Sequence, residues 1–203
     1  MTHIQNSPNI FEGSSDLPGR VFWITGLSGS GKSTIAWHLV QQLRQSRNNV
    51  VFLDGDVLRA ILANDSGHSL DDRLRLAFCY ARLCQELALQ GHWVVCATMS
   101  LFADIWSWNR ENIAYYHEIY LRVPLSTLVQ RDSKGIYSRA RDGKLKNVLG
   151  MDLPFQEPPS PHMVLDNDGS VPPQQLAALI HHTFAETRSI QIHGPIHHWK
   201  ESP

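Results

Sequence analysis

Residues 26–33, Gly-Leu-Ser-Gly-Ser-Gly-Lys-Ser, constrain the fold of this chain more than any other part of its sequence. They match the pattern GxxxxGK[ST] and lie between a short apolar run at residues 21–25 and apolar residues at helical spacing. In a strand–loop–helix unit of this kind, glycines let backbone N–H groups approach phosphate oxygens at the N-terminus of the helix. The sequence therefore predicts a phosphate-binding loop.

The loop also predicts which ligands it holds. Lys32 is placed to reach the β- and γ-phosphates of ATP, and the Ser33 hydroxyl to bind Mg²⁺. The predicted contacts with Mg·ATP are Gly26, Leu27, Ser28, Gly29, Ser30, Gly31, Lys32, Ser33 and Thr34. A glycine-rich turn without a ligand is the alternative, and the strand and helix on its two sides argue against it.

Strand-like and helix-like segments alternate along the rest of the chain, which predicts an α/β fold of the three-layer P-loop NTPase type with a parallel sheet. The predicted strands are residues 21–25, 50–53, 93–97, 119–123 and 163–165. The predicted helices are residues 32–46, 69–90 and a last one near residues 176–184. Ser69 and Asp72 have the spacing of a capping box. The inward stripe of that helix is predicted to be Leu74, Ala77, Phe78, Ala81, Cys84 and Ala88.

Length and composition set limits on the function. A chain of 203 residues, 42% of them hydrophobic, fits one globular domain, predicted at residues 20–188 between a loose arm (1–19) and a tail (189–203). The net charge of −1 gives no basic field for nucleic acid. We expect a small-molecule nucleotide partner, neither nucleic acid nor membrane, and a cytoplasmic location, because the first residues lack a signal-peptide pattern. The three cysteines are expected to be buried thiols.

Asp54 and Asp56 follow the second predicted strand, where ligands of parallel sheets bind. One of them could orient or deprotonate an acceptor hydroxyl, and the other could hold metal-bound water. An Asp-Gly turn with a helix cap at Asp56 is the alternative.

The class of P-loop protein follows from two missing segments. A regulatory GTPase would need an Asn-Lys-x-Asp segment, which this chain lacks, and the third predicted strand is not followed by the acidic residue of ATPases. A kinase is the favoured class.

Residues 132–161 show no apolar periodicity, which predicts a lid without regular structure. Its basic side chains would neutralise phosphates, and its closure would exclude water. They are Lys134, Arg139, Arg141, Lys144 and Lys146. A solvated basic loop is the alternative. Arg131, just before the lid, is the candidate for stabilising charge in the transition state.

Three segments resemble the adenylylsulfate (APS) kinase family: GLSGSGKST at residues 26–34, FLDGDVLR at 52–59, and RDSKGIYSRARDGKLKNVLGMDLPFQEP at 131–158. The resemblance implies transfer of the γ-phosphate of ATP to the 3′-hydroxyl of adenylyl sulfate, giving PAPS. Together with the positions above, it gives the catalytic candidates Lys32, Asp54, Asp56, Ser100 and Arg131. The acceptor-binding candidates are Asp56, Arg59, Arg73, Ser100, Lys134 and Lys146. It is also compatible with a homodimer.

The chain departs from the family pattern on the acceptor side, at His68, Leu76, Phe78 and Val148. Leu76 and Phe78 replace an Asn and an Arg, and Val148 replaces an aromatic residue of the lid. A similar branch of the family acts on nucleoside diphosphoramidates in capsule synthesis, which is the alternative acceptor. Ser100, which the resemblance associates with a phosphoserine, is expected to cap a helix or bind the acceptor rather than relay the phosphate.

Overall fold

A computed structural model describes residues 19–62, 69–132 and 134–185. Five parallel strands form one sheet in the order β2-β3-β1-β4-β5. They are β1 (Val21–Thr25), β2 (Val50–Asp54), β3 (Trp93–Thr98), β4 (Tyr116–Arg122) and β5 (Met163–Asp166). The predicted strands are confirmed, although β4 begins three residues before the prediction. Its first residues include His117 and Glu118, whose polar side chains hide the strand from a search for apolar runs.

Helices cover both faces of this sheet, so the predicted α/β/α fold is confirmed. They are α1 (Lys32–Leu43), α2 (Gly55–Leu62), α3 (Leu70–Leu89), α4 (Ala103–Asn112), α5 (Leu125–Arg131), α6 (Ile136–Arg141) and α7 (Pro173–Ile180), with a π-helical turn at His181–Ala185. The capping box before α3 is confirmed, because the Ser69 hydroxyl accepts a bond of 3.1 Å from the Asp72 N–H. None of the described helices is long and apolar enough to cross a membrane.

Two apolar layers fix the helices on the sheet. Phe22 and Ile24 point from β1 to α1 and α7, whereas Val21 and Trp23 point to α3 and α4, as the alternation of a strand requires. On α3, the predicted inward residues Leu74 and Phe78 are only half-buried. Leu76 and Tyr80 are buried instead. The buried face of α3 is therefore rotated from the predicted stripe toward Leu76 and Tyr80.

The prediction that residues 132–161 have no regular structure is wrong. They include α6, and Tyr137, Val148 and Leu149 are buried in a third cluster with Leu27 and Leu128. A six-residue helix is too short to show the periodicity that reveals a helix in sequence. The basic segment therefore has a short helix and buries apolar side chains against the rest of the domain.

The remaining predictions concern the three cysteines and the two ends of the domain. Cys84 and Cys96 are buried as expected, whereas Cys79 is exposed. His68, nearly all of the predicted arm and the predicted tail lie outside the described residues. The domain bounds at residues 20 and 188 therefore remain predictions.

His117 of β4 lies in an apolar environment. Its ring stacks on Phe184 at 4.6 Å between centroids and contacts Phe22 at 5.3 Å. Its Nε2 atom is buried without a hydrogen-bond partner. Burial lowers the pKa of His117 to about 4, with further effects from Arg20 and His162. The folded state therefore holds this imidazole neutral.

We expect His117 to make the protein less stable as the pH falls. Its pKa is depressed in the folded state, so the unfolded chain binds a proton below about pH 6.5 that the native protein does not bind. Between pH 7 and pH 5, the free energy of unfolding should fall by about 2 kcal/mol more in the wild type than in His117→Phe. Urea unfolding at both pH values measures this difference. Equal pH dependence in the two proteins would contradict the assignment.

Candidate active site

The phosphate loop follows β1 at the centre of the sheet and leads directly into α1. Gly31 adopts φ +90°, and a Cβ atom there would lie 2.6 Å from Nδ2 of Asn167. Only glycine combines this backbone conformation with so close a neighbour. The Ser33 and Thr34 side chains, at the start of α1, are exposed to the cavity that the loop borders.

Lys32 bends back over its own loop. Its Nζ donates a hydrogen bond of 2.7 Å to the Leu27 carbonyl. Burial and, to a smaller extent, the neighbouring charge of Lys134 lower the Lys32 pKa, Asp56 and Asp54 act in the opposite direction, and the resulting pKa is about 8. A phosphate anion in the cavity would favour the charged form, because an opposite charge at short range raises the pKa of an amine.

The two carboxylates after β2 have different environments. Asp54 Oδ1 accepts hydrogen bonds from the N–H groups of Asp56 (2.9 Å) and Val57 (3.4 Å), so Asp54 caps α2. The alternative interpretation, which placed the cap at Asp56, is therefore wrong. Asp56 is exposed and forms an ion pair with Lys134 across the cavity. One carboxylate is thus fixed by the backbone, and the other is held by a basic side chain of the lid segment.

Ser100 lies beyond the end of β3, on the wall of the same cavity. Its hydroxyl is buried and lies 2.8 Å from Oγ1 of Thr98. The expectation that Ser100 caps a helix is wrong, because α4 begins only at Ala103 and its N-cap residue is Phe102. Trp106 of α4 is buried in the core, in agreement with a packing role.

Arg131 ends α5 and is held over the cavity by a backbone carbonyl. Its Nη2 donates a hydrogen bond of 2.9 Å to the oxygen of Asn167, directly after β5. The Asn167 side chain donates in turn to the Ser30 carbonyl at 2.8 Å. Asn167 was not among the site residues predicted from the sequence. A polar residue two positions after the last predicted strand (163–165) was the available signal, because residues just beyond such strands face the ligand edge of a parallel sheet.

Hydrogen bonds close residues 132–161, hereafter the lid segment, onto the rest of the site. The Tyr137 hydroxyl donates to the Ser28 carbonyl of the phosphate loop at 2.8 Å, and burial raises the Tyr137 pKa to about 12. Asp132 accepts from the N–H groups of Tyr137 (2.9 Å) and Ser138 (3.0 Å), which orients α6. Near the middle of the lid segment, Arg73 of α3 donates to the Asn147 carbonyl at 2.8 Å.

These elements enclose one cavity of about 930 Å³. Of the predicted site residues, it brings together Ser28, Gly29, Gly31, Lys32, Ser33, Thr34, Asp54, Asp56, Arg59, Arg73, Ser100, Arg131, Lys134 and Lys146. Gly26, Leu27 and Ser30 are buried within the loop and do not line the cavity, and neither do the lid residues Arg139, Arg141 and Lys144. The other predicted residues therefore form one site around the cavity.

Apolar and aromatic side chains line another part of the cavity. They include Leu76, Tyr80, Phe102 and Val148. Phe78, which the resemblance placed on the acceptor side, instead packs edge-on against Trp108 at 6.3 Å and does not line the cavity. Of the four departures from the family pattern, the structure thus places Leu76 and Val148 in the site.

A phosphate loop that shares its cavity with strand-end carboxylates and a basic segment can hold a nucleoside triphosphate beside a second small molecule. That arrangement is the basis of catalysis in P-loop kinases, where positioning and charge stabilisation do most of the work.

Comparisons with known proteins agree with this class. The family model for adenylylsulphate kinase matches residues 18–166. An adenylyl-sulfate kinase of Bacillus velezensis is 38% identical over 149 residues, covering 72% of this chain and 76% of that protein. A cytidine diphosphoramidate kinase of Campylobacter jejuni is 37% identical over 147 residues, covering 72% and 85%. The solved structure of the Mycobacterium tuberculosis APS kinase with AMPPNP and APS has a TM-score of 0.76 at 31% identity, covering 84% of this chain and 99% of that one.

The chain therefore belongs to the adenylylsulphate kinase family, which confirms the resemblance found in the sequence. As a member of this family, it is a phosphotransferase that uses ATP and a hydroxyl acceptor.

The geometry of Lys32 predicts a chemical rather than a structural role. Lys32→Ala should lower kcat by at least about 100-fold, because a buried charge next to the transferring phosphate is lost. The melting temperature should change little. Steady-state kinetics and thermal unfolding of the purified variant measure both quantities, with Arg82→Ala, an exposed cation of α3, as the control. Turnover like that of the wild type in Lys32→Ala would contradict the assignment.

Proposed function

We propose that this kinase transfers the γ-phosphoryl group of ATP to the 3′-hydroxyl of adenylyl sulfate, with PAPS and ADP as products. The observation that carries the proposal is the continuity of one cavity from the phosphate loop to Arg59, Arg73 and Lys146. The first region suits the phosphates of ATP, and the three cations suit the phosphate and sulfate oxygens of the acceptor. Several relatives named adenylyl-sulfate kinase support this acceptor.

In the donor half, residues 26–34 would hold the ATP phosphates. The Ser33 hydroxyl at the start of α1 fits a Mg²⁺ ion, since this ion takes few protein oxygens and completes its shell with phosphates and water. Among the described residues, no cluster of His, Cys, Asp or Glu forms a separate all-protein metal site, which agrees with this mode. When bound, the ion would neutralise charge on the phosphates.

The transfer itself is a direct displacement. The acceptor hydroxyl oxygen forms a bond to the γ-phosphorus while the bond from that phosphorus to the β–γ bridging oxygen breaks, and ADP leaves. The proton of the hydroxyl passes to the carboxylate of Asp54 or Asp56. Lys32 and Arg131 stabilise the charge that develops on the transferred group. No covalent intermediate on Ser100 is needed, so we assign that hydroxyl to the acceptor.

A nucleoside diphosphoramidate is the second candidate acceptor. Leu76 and Val148 line the cavity at positions where the family pattern has an amide and an aromatic ring, so the site lacks that amide and that ring. Loss of a base–aromatic stack costs about 1–3 kcal/mol of binding, which weakens the case for adenylyl sulfate. The relative from Campylobacter jejuni, named for cytidine diphosphoramidate, supports this alternative. A homodimer and a cytoplasmic location remain predictions from the sequence.

We expect phosphorylation of adenylyl sulfate with a Michaelis constant for adenylyl sulfate above that of the Bacillus velezensis relative. The reason is that Val148 replaces an aromatic residue of the family pattern and cannot stack on the base of the acceptor. Purified protein should be given ATP with adenylyl sulfate, cytidine diphosphoramidate or adenosine, and the products should be identified by mass. The ratio kcat/KM ranks the acceptors. Turnover of the diphosphoramidate without PAPS at millimolar adenylyl sulfate would reject the first acceptor in favour of the second.

The lid segment should become more protected when the site is filled. Its contacts to the loop and α3 run through few hydrogen bonds, including those of Tyr137 and Arg73, so ligands on both sides would add to them. Amide exchange of the wild type should slow at residues 134–161 with ADP and acceptor together. Tyr137→Phe should show faster exchange there without ligand, because it loses only the bond to Ser28. Equal exchange with and without ligands would contradict a lid function.

A further inference from the structure

Asn167 occupies a central position that the proposed function has not used. It directly follows β5 and is only 7% exposed. Its own N–H donates to the Arg122 carbonyl at 3.0 Å, so its backbone is anchored to the end of β4. Its side-chain amide reaches across to the phosphate loop and donates to the Ser30 carbonyl at 2.8 Å. This side chain adds a second link between the phosphate loop and the sheet, from a residue 137 positions away in sequence.

This hydrogen bond orients one peptide unit of the loop. A trans peptide is planar, and its C=O and N–H groups point in opposite directions. Fixing the Ser30 carbonyl toward Asn167 therefore aims the Gly31 N–H away from Asn167. Backbone N–H groups of such loops are the donors that bind phosphate oxygens. The glycine at position 31 admits the amide, since a Cβ atom there would lie 2.6 Å from Nδ2.

The backbone of Asn167 also holds a second side chain that lines the cavity. Its carbonyl accepts the hydrogen bond of 2.9 Å from Nη2 of Arg131. The guanidinium that we assign to charge stabilisation is thus held by the same residue that orients the loop. Because the backbone of Asn167 is bonded to β4, the Ser30–Gly31 peptide and the Arg131 guanidinium keep a fixed position relative to each other.

We infer that Asn167 is a positioning residue for the phosphates of the bound nucleotide, acting through the Ser30–Gly31 peptide and through Arg131. The inference rests on the proposed function, because it needs a nucleotide on the loop. It concerns only the phosphates, and therefore makes a prediction that a purely structural asparagine would not make. Binding of a nucleoside without phosphates should be insensitive to the Asn167 side chain, whereas binding of its diphosphate should depend on it.

The test compares ADP with adenosine in the full chain, by calorimetry at a temperature well below the melting point. Asn167→Ala should weaken ADP binding about 10-fold, the size expected for one lost buried hydrogen bond, and adenosine binding less than about 2-fold. Asn167→Asp keeps the shape but presents an acceptor oxygen and a negative charge to the Ser30 carbonyl. It should weaken ADP binding more than Asn167→Ala does. The Michaelis constant for ATP should rise in parallel, while that for the acceptor should stay within about 2-fold.

Asn49→Ala is the matched control. Asn49 also donates a side-chain amide hydrogen bond to a backbone carbonyl, that of Gly91 at 2.5 Å, but it does not line the cavity. This variant should lose stability and keep the affinity for ADP. If Asn167→Ala does not fold, Asn167→Ser, which retains a small polar side chain, replaces it in the binding measurements. Unchanged ADP binding in the Asn167 variants, or equal losses for ADP and adenosine, would overturn the inference. A wild type that binds ADP but phosphorylates no offered acceptor would overturn only the proposed function.

Discussion

Parallel strands place all their C-terminal ends at one edge of the sheet, and the rest of this structure depends on that constraint. β1 is central, so the loop that leaves it has the ends of β3 and β4 on its two sides. Asp54 arrives from β2, Ser100 from beyond β3 and Asn167 from beyond β5. Residues separated by more than a hundred positions thus meet without any long excursion of the chain. The two apolar layers hold the sheet, and the sheet in turn fixes the relative positions of the charges.

Cations outnumber carboxylates in the cavity. Six of them line it, namely Lys32, Arg59, Arg73, Arg131, Lys134 and Lys146, against Asp54 and Asp56. Such an excess opposes folding in the absence of ligand, because like charges repel and burial penalises each one. The lowered pKa of Lys32 reports both effects. Nucleotide phosphates would remove this cost, so the same charges that strain the empty site would favour the filled one. The exposed pair of Asp56 and Lys134 contributes little by comparison.

Donor and acceptor recognition depend on different kinds of structure. In the proposed function, the donor half would use backbone groups and one lysine, whose geometry follows from the strand–loop–helix unit. The acceptor half would use side chains on α2 and α3, beyond β3 and in the lid segment, and these can change without altering the fold. Two relatives of nearly equal identity to this chain are named for different acceptors. Overall identity therefore says little about the acceptor, whereas Leu76 and Val148 on the cavity wall bear on it directly.

The sequence by itself determined the class of fold, the phosphate loop and the family, because each of these depends on local spacing. GxxxxGK[ST] between a strand and a helix specifies its own geometry, and the capping box of Ser69 and Asp72 specifies the start of α3. Only the tertiary structure decided that Asp54 rather than Asp56 caps α2, that Leu76 faces the cavity while Phe78 does not, and that Asn167 joins the loop to Arg131. Those outcomes depend on how helices rotate on the sheet and on contacts between residues distant in sequence, and no local pattern encodes either of them.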